Sequence, residues 1–137
     1  MWEWLRRRRS ASQAARRLGR RGERVAARHL RRSGLRIVGK NVQVGRSEVD
    51  LVALDGDTVV LVEVKSRTVT ANVEWTGLDR VDANKRRALR RAGAILRGRV
   101  RGGDENFRVD AVSVEFEKRS VGHRVVDLRW YPGILKV

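Results

Sequence analysis

Apolar residues recur along the chain at two spacings, which separate helical segments from extended ones. From Leu18 to Arg32 they recur every three or four residues, which predicts an amphipathic helix that Ser33 and Gly34 end. A second apolar stripe of the same period runs from Arg80 to Arg97 and is flanked by Lys and Arg. Two main helices are therefore predicted.

The remaining apolar segments alternate or run continuously, as strands do. Strands are predicted at Leu35 to Val44, in both arms of a hairpin from Ser47 to Arg67, at Phe107 to Phe116 and at His123 to Trp130. Asp55, Gly56 and Asp57 form a strong turn signal between the hairpin arms. Val59 to Val64 is apolar at almost every position, which indicates a strand buried on both faces. The order of elements favours an α/β domain with a small mixed sheet.

Length and composition indicate one small domain. The chain has 137 residues, of which 41% are hydrophobic, enough to bury a core of its own. We assign residues 18–137 to a single α/β domain and residues 1–17 to a basic N-terminal arm that can be flexible. The chain has no Cys and only two His, so thiolate and imidazole metal sites are not expected. Any metal site would use oxygen ligands.

Targeting signals and membrane spans are not apparent in the sequence. No apolar run approaches the roughly 20 residues that cross a bilayer, and the N-terminus MWEWLRRRRS lacks the apolar region of a signal peptide. A cytoplasmic protein without a membrane partner is expected.

Charge is the strongest compositional feature, with 32 basic and 16 acidic residues and a net charge of +16. Such a balance favours a polyanionic partner, because each neutralised phosphate releases counterions. Nucleic acid is the expected partner. Most of the basic residues are Arg, however, and an Arg bias also follows from coding composition.

The hairpin carries the candidate chemistry. If its arms pair across the turn, Asp50 and Glu63 lie side by side and offer two hard oxygen ligands of the kind that bind magnesium. The backbone carbonyl of Val64 would be a further ligand. Lys65 faces the same way as Glu63 and could hold the attacking water or offset charge as a phosphodiester is cleaved. This pattern predicts metal-assisted phosphodiester hydrolysis.

An ordinary structural role explains the same residues. Glu and Lys that alternate on an exposed strand face are usually a cross-strand charge pair, and Glu-x-Lys is common by chance. The apolar character of the strand before Glu63 points to burial and favours a site. On these residues alone, the nuclease site and the charge pair both remain open.

The run from Gly19 to Arg67, GRRGERVAARHLRRSGLRIVGKNVQVGRSEVDLVALDGDTVVLVEVKSR, resembles the YraN family of small bacterial proteins of poorly defined role. The family pattern is Gly-x-x-Gly-Glu, then Asn, then a Gly-Glu-Ile-Asp-Leu-like strand, then Phe-Val-Glu-Val-Lys-x-Arg. The likeness covers residues 19–116. It departs from the pattern at Ser47 and Leu61, and neither departure removes a ligand.

The resemblance implies the restriction-endonuclease-like fold of the PD-(D/E)xK nucleases, which includes archaeal Holliday-junction resolvases. By that likeness Asp50, Glu63 and Lys65 match the core motif. Glu23 matches an acid on the first helix that completes the metal site, and Glu48 is an auxiliary acid. The implied cofactor is Mg²⁺ or Mn²⁺.

Basic residues beside the motif are the expected nucleic-acid contacts, namely Arg67, Lys85, Arg86, Arg87 and Arg90. DNA is favoured over RNA as the partner, and a homodimer is expected because resolvase-like enzymes use paired sites to cut two strands. Three functional classes remain open: a metal-dependent endonuclease, a nuclease-fold module that binds without cutting, and an assembly protein whose acids are simply paired to Arg. Retention of the core-motif residues Asp50, Glu63 and Lys65 favours the first.

Overall fold

Two helices and five strands build the protein. The computed structural model describes residues 3–69, 83–99 and 106–136. The elements are α1 (Glu3–Arg32), β1 (Arg36–Val44), β2 (Ser47–Asp55), β3 (Thr58–Thr68), α2 (Ala83–Arg99), β4 (Asn106–Lys118) and β5 (His123–Lys136). The α/β class and both main helices are confirmed.

Helix α1 begins at Glu3 rather than at Leu18, so the predicted start was wrong. Arg and Ala are good helix formers, and no Gly or Pro interrupts the chain between these two residues. The predicted end is confirmed, because Gly34 adopts a φ of 97° and the N–H of Leu35 reaches the carbonyl of Leu30 at 3.0 Å. In the described part of the chain, neither helix is long and apolar enough to cross a bilayer.

The strands form one mixed sheet in the order β1-β2-β3-β4-β5. Neighbouring strands are antiparallel except for β3 and β4, which run parallel because the chain between them crosses over through α2. The turn between β2 and β3 lies at the predicted place, with Gly56 at a φ of 56°. Strand β5 continues beyond Trp130 to Lys136, and Pro132 is accommodated because β5 is an edge strand.

Apolar side chains cover both faces of the sheet. On one face Ala26, Ala27 and Leu30 of α1 pack against a layer from the central strands that includes Val62 and Phe116. On the other face α2 packs against a second layer through two buried residues, Leu89 and Ala92. The central strand β3 is therefore buried on both sides, as its continuous apolar run predicted.

Helix α1 approaches β3 closely at Gly22. A Cβ atom at this position would lie 1.7 Å from the Oγ of Ser66 and 3.0 Å from its Cβ. Only a residue without a side chain lets the two backbones come this near. The contact places the next residue of the helix, Glu23, beside the end of the hairpin.

A buried carboxylate on β4 accepts hydrogen bonds from two residues of β5. Asp110 is fully buried and accepts hydrogen bonds from the indole Nε1 of Trp130 at 3.0 Å and from the N–H of Gly133 at 2.8 Å. The Nε of Arg108 lies 3.0 Å from the same carboxylate, and its Nη1 reaches Asp55 at 2.8 Å. Since a buried acid needs such partners, we assign Asp110 a structural role.

Candidate functional site

The β2–β3 ladder ends where the acids of the hairpin begin. Leu51 and Val62 are the last residues that pair, and the next step of the same register places Asp50 opposite Glu63. Beyond that point the Oδ2 of Asp50 accepts the N–H of Val64 at 2.8 Å. The Asp50 carboxylate thus takes the place of a backbone carbonyl as the acceptor for β3. This hydrogen bond fixes the position of the carboxylate at the end of the ladder.

Glu63 lies deep in this site. It is 2% exposed, on the α2 side of the sheet. The Nζ of Lys65 lies 3.0 Å from its Oε1, and the Nζ of Lys85 lies 3.2 Å from its Oε2. The Lys85 contact is an ion pair whose geometry leaves Oε2 without a hydrogen bond from any described residue. A buried carboxylate is tolerated here because two cations flank it.

The second of these lysines comes from α2, and the sequence had predicted it as a nucleic-acid contact. The structure places the Nζ of Lys85 3.2 Å from the Oε2 of Glu63, where the side chain is half-buried, and its predicted role as a nucleic-acid contact stays a prediction. Arg86, Arg87 and Arg90 of the same helix are exposed, and Arg87 hydrogen bonds to Asn84 in the preceding turn. Arg67 lies half-buried near the end of β3, two residues beyond Lys65. The predicted basic set therefore divides into two half-buried residues, Arg67 and Lys85, and three exposed arginines.

Burial and neighbouring charges change the acidity of Asp50. Burial is the largest cause, and together with the charges of Glu63 and Glu23 it raises the pKa of the Asp50 carboxyl to about 7. The Val64 N–H and the Lys85 charge act in the opposite direction. Three carboxylates from α1, β2 and β3 are therefore close enough to repel one another, which a bound cation would relieve.

Glu23 is held by a residue that the sequence analysis did not assign to the site. The side chain of Asn41 hydrogen bonds to Glu23. Burial raises the pKa of Glu23 above its usual range, the Asn41 hydrogen bond lowers it, and the nearby charges of Glu48 and Glu63 raise it. Asn41 has a φ of 49°, the only positive φ outside Gly among the described residues. Asn tolerates this left-handed conformation better than most residues. The Asn of the family pattern was the feature of the sequence that could have assigned Asn41 to the site.

An open cavity of about 520 Å³ adjoins the acids. The residues that line it are Arg16, Gly19, Arg20, Glu23, Asn41 and Glu48. Helix α1 supplies one wall, and strands β1 and β2 supply the other. The predicted auxiliary acid Glu48 is exposed and lines this cavity.

The donors at this site suit a hard divalent cation, although the described residues do not form a closed cage. Among them no three acidic or imidazole side chains converge closely enough to hold a metal as they stand. Asp50 and Glu63 are the best-placed ligands, since the Oε2 of Glu63 lacks a hydrogen bond and carboxylate oxygens suit magnesium. Val64 contributes its N–H to Asp50, and its predicted ligand role through the carbonyl stays a prediction.

Comparisons with known proteins agree with the sequence pattern. A family model described as "Uncharacterised protein family UPF0102" matches residues 22–114. A UPF0102 protein of Sorangium cellulosum is 44% identical over 110 residues, which are 77% of this chain and 74% of that protein. A UPF0102 protein of Pseudomonas aeruginosa is 45% identical over 105 residues, 75% of this chain and 82% of that one. A UPF0102 protein of Rhizorhabdus wittichii is 42% identical over 108 residues, 79% and 88% of the two chains.

Proposed function

The chain belongs to the uncharacterised protein family UPF0102, the YraN family, and because that name states no activity, we propose one from the site: a metal-dependent endonuclease. The proposed reaction is hydrolysis of a nucleic-acid phosphodiester on a restriction-endonuclease-like core. The observation that carries the proposal is the pair of adjacent acids, Asp50 and Glu63, at the end of the β2–β3 ladder, with Lys65 at 3.0 Å from Glu63.

The electrostatics of the site support this proposal. The chain has a net charge of +16, yet burial, together with the charges of Glu63 and Glu23, raises the pKa of Asp50 to about 7. Burial and repulsion of this kind destabilise the fold unless a bound ligand offsets them, and groups with perturbed pKa values cluster at functional sites. A divalent cation is the ligand that such a group would favour.

Each residue then has a distinct proposed role. Asp50 and Glu63 would hold Mg²⁺ or Mn²⁺, with Glu23 as a third acid from α1 and Glu48 as an auxiliary acid at the cavity. When bound, the cation would supply Lewis-acid stabilisation of charge on the phosphate. Lys65 would orient the attacking water or offset developing negative charge, since its Nζ lies beside Glu63.

The surface around the site supports nucleic acid as the substrate. Helix α2 presents exposed Arg86, Arg87 and Arg90 close to Lys85, which itself enters the site. Such a helix would follow phosphates leading to the acids. DNA is proposed over RNA, and a homodimer is proposed because two sites would be needed to cut two strands. These proposals rest on the likeness to resolvases.

A second candidate is a nucleic-acid-binding module of the same fold that does not cut. Lys65 and Lys85 already flank the two oxygens of Glu63, and the described acids do not form a closed metal cage. Both lysines would have to move, or share Glu63 with the cation, for catalysis. This arrangement is the specific reason to keep the second candidate.

The deciding experiment measures cleavage of labelled DNA and RNA, covering single strands, duplexes, flaps and four-way junctions, with magnesium or manganese. Wild type is compared with Glu63→Gln, which keeps the shape of the buried side chain, and with Lys65→Ala. The matched control is Glu117→Gln, because Glu117 is an exposed acid paired with Arg124 at 2.8 Å outside the site. Binding and circular dichroism are measured on the same samples.

We expect metal-dependent cleavage by wild type and by Glu117→Gln, and loss of at least about 100-fold in rate for the two site variants. Binding should persist in both, because the exposed arginines remain. If wild type binds these substrates but cuts none of them with either metal, the endonuclease proposal fails and the binding module replaces it.

A further inference from the structure

The cavity beside the acids has a feature that the fold does not require. Gly19 lies within the 30-residue helix α1 and lines the cavity. A Cβ atom at this position would meet nothing within 4 Å, in contrast to Gly22. Gly within a helix costs about 1 kcal/mol relative to Ala, and no packing contact in the described chain explains that cost. An approaching ligand backbone would explain it.

Two cations stand on the same side of the helix. Arg16, Arg20 and Glu23 are separated by four and three residues, which places them along one face of α1. Both arginines are exposed and line the cavity, and the charge of Arg20 acts on Glu23, whose pKa it lowers. The cavity is thus basic at one end and acidic at the other, where Glu23 and Glu48 lie.

We propose that this cavity is a phosphate-binding subsite for one nucleotide of a single-stranded segment, adjacent to the phosphate that the acids address. Arg16 and Arg20 would bind the phosphate, and Gly19 would leave room for the strand to pass against the helix. The proposal adds a substrate-binding subsite to the proposed endonuclease. It rests on that function, because the acids define the direction in which the bound strand continues. The guanidinium groups would act as bidentate partners of phosphate oxygens.

The size and lining of the cavity define the ligand further. A volume of about 520 Å³ lies within the range of pockets that hold one small ligand, which suits a nucleotide and is too small for a duplex. The lining contains no aromatic side chain for base stacking. Recognition would therefore use the sugar-phosphate backbone, and binding would be independent of base sequence.

The test measures anisotropy of a short labelled single-stranded oligonucleotide in EDTA, over a range of salt concentrations, with a blunt duplex as the second probe. The variants are Arg16→Ala, Arg20→Ala and Gly19→Leu. The matched control is Arg28→Ala, which removes the same charge from an exposed position of α1 outside the cavity. It lies about 12 Å beyond Arg20 along the helix axis. Melting temperatures are recorded for all proteins.

Each arginine variant should weaken single-strand binding about fivefold at about 0.1 M salt and lower the salt slope by about 0.7, the contribution of one phosphate contact. Gly19→Leu should weaken binding without lowering the melting temperature, because Leu favours the helix and meets open space. Arg28→Ala should bind as wild type, and duplex binding should change little in any variant.

Two results overturn the subsite. One is wild-type binding by Gly19→Leu and both cavity arginine variants. The other is an equal loss in Arg28→Ala, which indicates a diffuse basic field. Cleavage with magnesium is read separately on the same substrates. If wild type cuts nothing while the cavity variants alone lose single-strand binding, the endonuclease fails and the subsite stands.

Discussion

The close contact between Gly22 and Ser66 makes a quantitative prediction about stability. A methyl group at residue 22 would lie 1.7 Å from the Oγ of Ser66. Rotation of the Ser66 side chain can move its Oγ away, but the Cβ of Ser66 stays 3.0 Å from the new methyl group, so the two backbones must still separate slightly. Helix α1 must therefore move outward from β3, and Glu23 would move with it.

The expected net effect of Gly22→Ala combines two opposing contributions. Replacing Gly by Ala within a helix stabilises by about 1 kcal/mol, and overpacking a tight contact costs about 1–3 kcal/mol. The contact that rotation cannot remove is the one at 3.0 Å, so we expect a net destabilisation of up to about 2 kcal/mol. Gly19→Ala receives the same helix gain without a clash and should be about 1 kcal/mol more stable than wild type.

The assay is urea unfolding followed by circular dichroism, with the midpoint compared at constant m-value. Ser66→Ala serves as the rescue partner. Its Oγ is buried without a hydrogen bond from any described residue, so removing it should be neutral or stabilising. The double variant Gly22→Ala/Ser66→Ala should recover part of the loss. If Gly22→Ala stabilises the protein as much as Gly19→Ala does, our account of this contact is wrong.

Three further predictions concern charged groups. The pKa of Asp50 in the folded protein is about 7, above its ordinary value of 3.8, so its contribution to the free energy of unfolding is complete below about pH 4 and is lost as the pH rises through 7. In EDTA, Asp50→Asn should therefore become more stable relative to wild type as the pH rises across this window. Unfolding curves whose difference does not change with pH would contradict this. Asp110→Ala should destabilise by about 2–4 kcal/mol in urea unfolding, because the Trp130 indole and the N–H of Gly133 lose their acceptor and Arg108 keeps only Asp55 as a partner; a loss below about 1 kcal/mol would refute the structural role. The exposed pair of Arg124 and Glu117 should contribute less than about 1 kcal/mol in a double-mutant cycle, and a larger coupling would show that this edge is more ordered than its exposure suggests.

Local sequence determined the elements and their order. The apolar period located both helices, and alternation or a continuous apolar run located the strands, because these patterns reflect which face of each element must leave water. The continuous apolar run of β3 predicted its burial, and the turn at Gly56 set the register that brings Asp50 opposite Glu63. The helix start was wrong because an Arg-rich segment carries little apolar periodicity even when its residues favour a helix.

Only the tertiary structure decided which groups meet across the chain. Lys85 pairs with Glu63 because α2 packs on that face of the sheet, and no spacing within the sequence encodes this contact. The same holds for Asn41 and Glu23, which lie on different elements, and for the cavity beside Gly19. Sequence patterns are local, whereas pKa values, ion pairs and cavities depend on distances between segments that are set by packing. The sequence by itself therefore indicated the acidic residues and the order of helices and strands, and only the fold determined which side chains those acids contact.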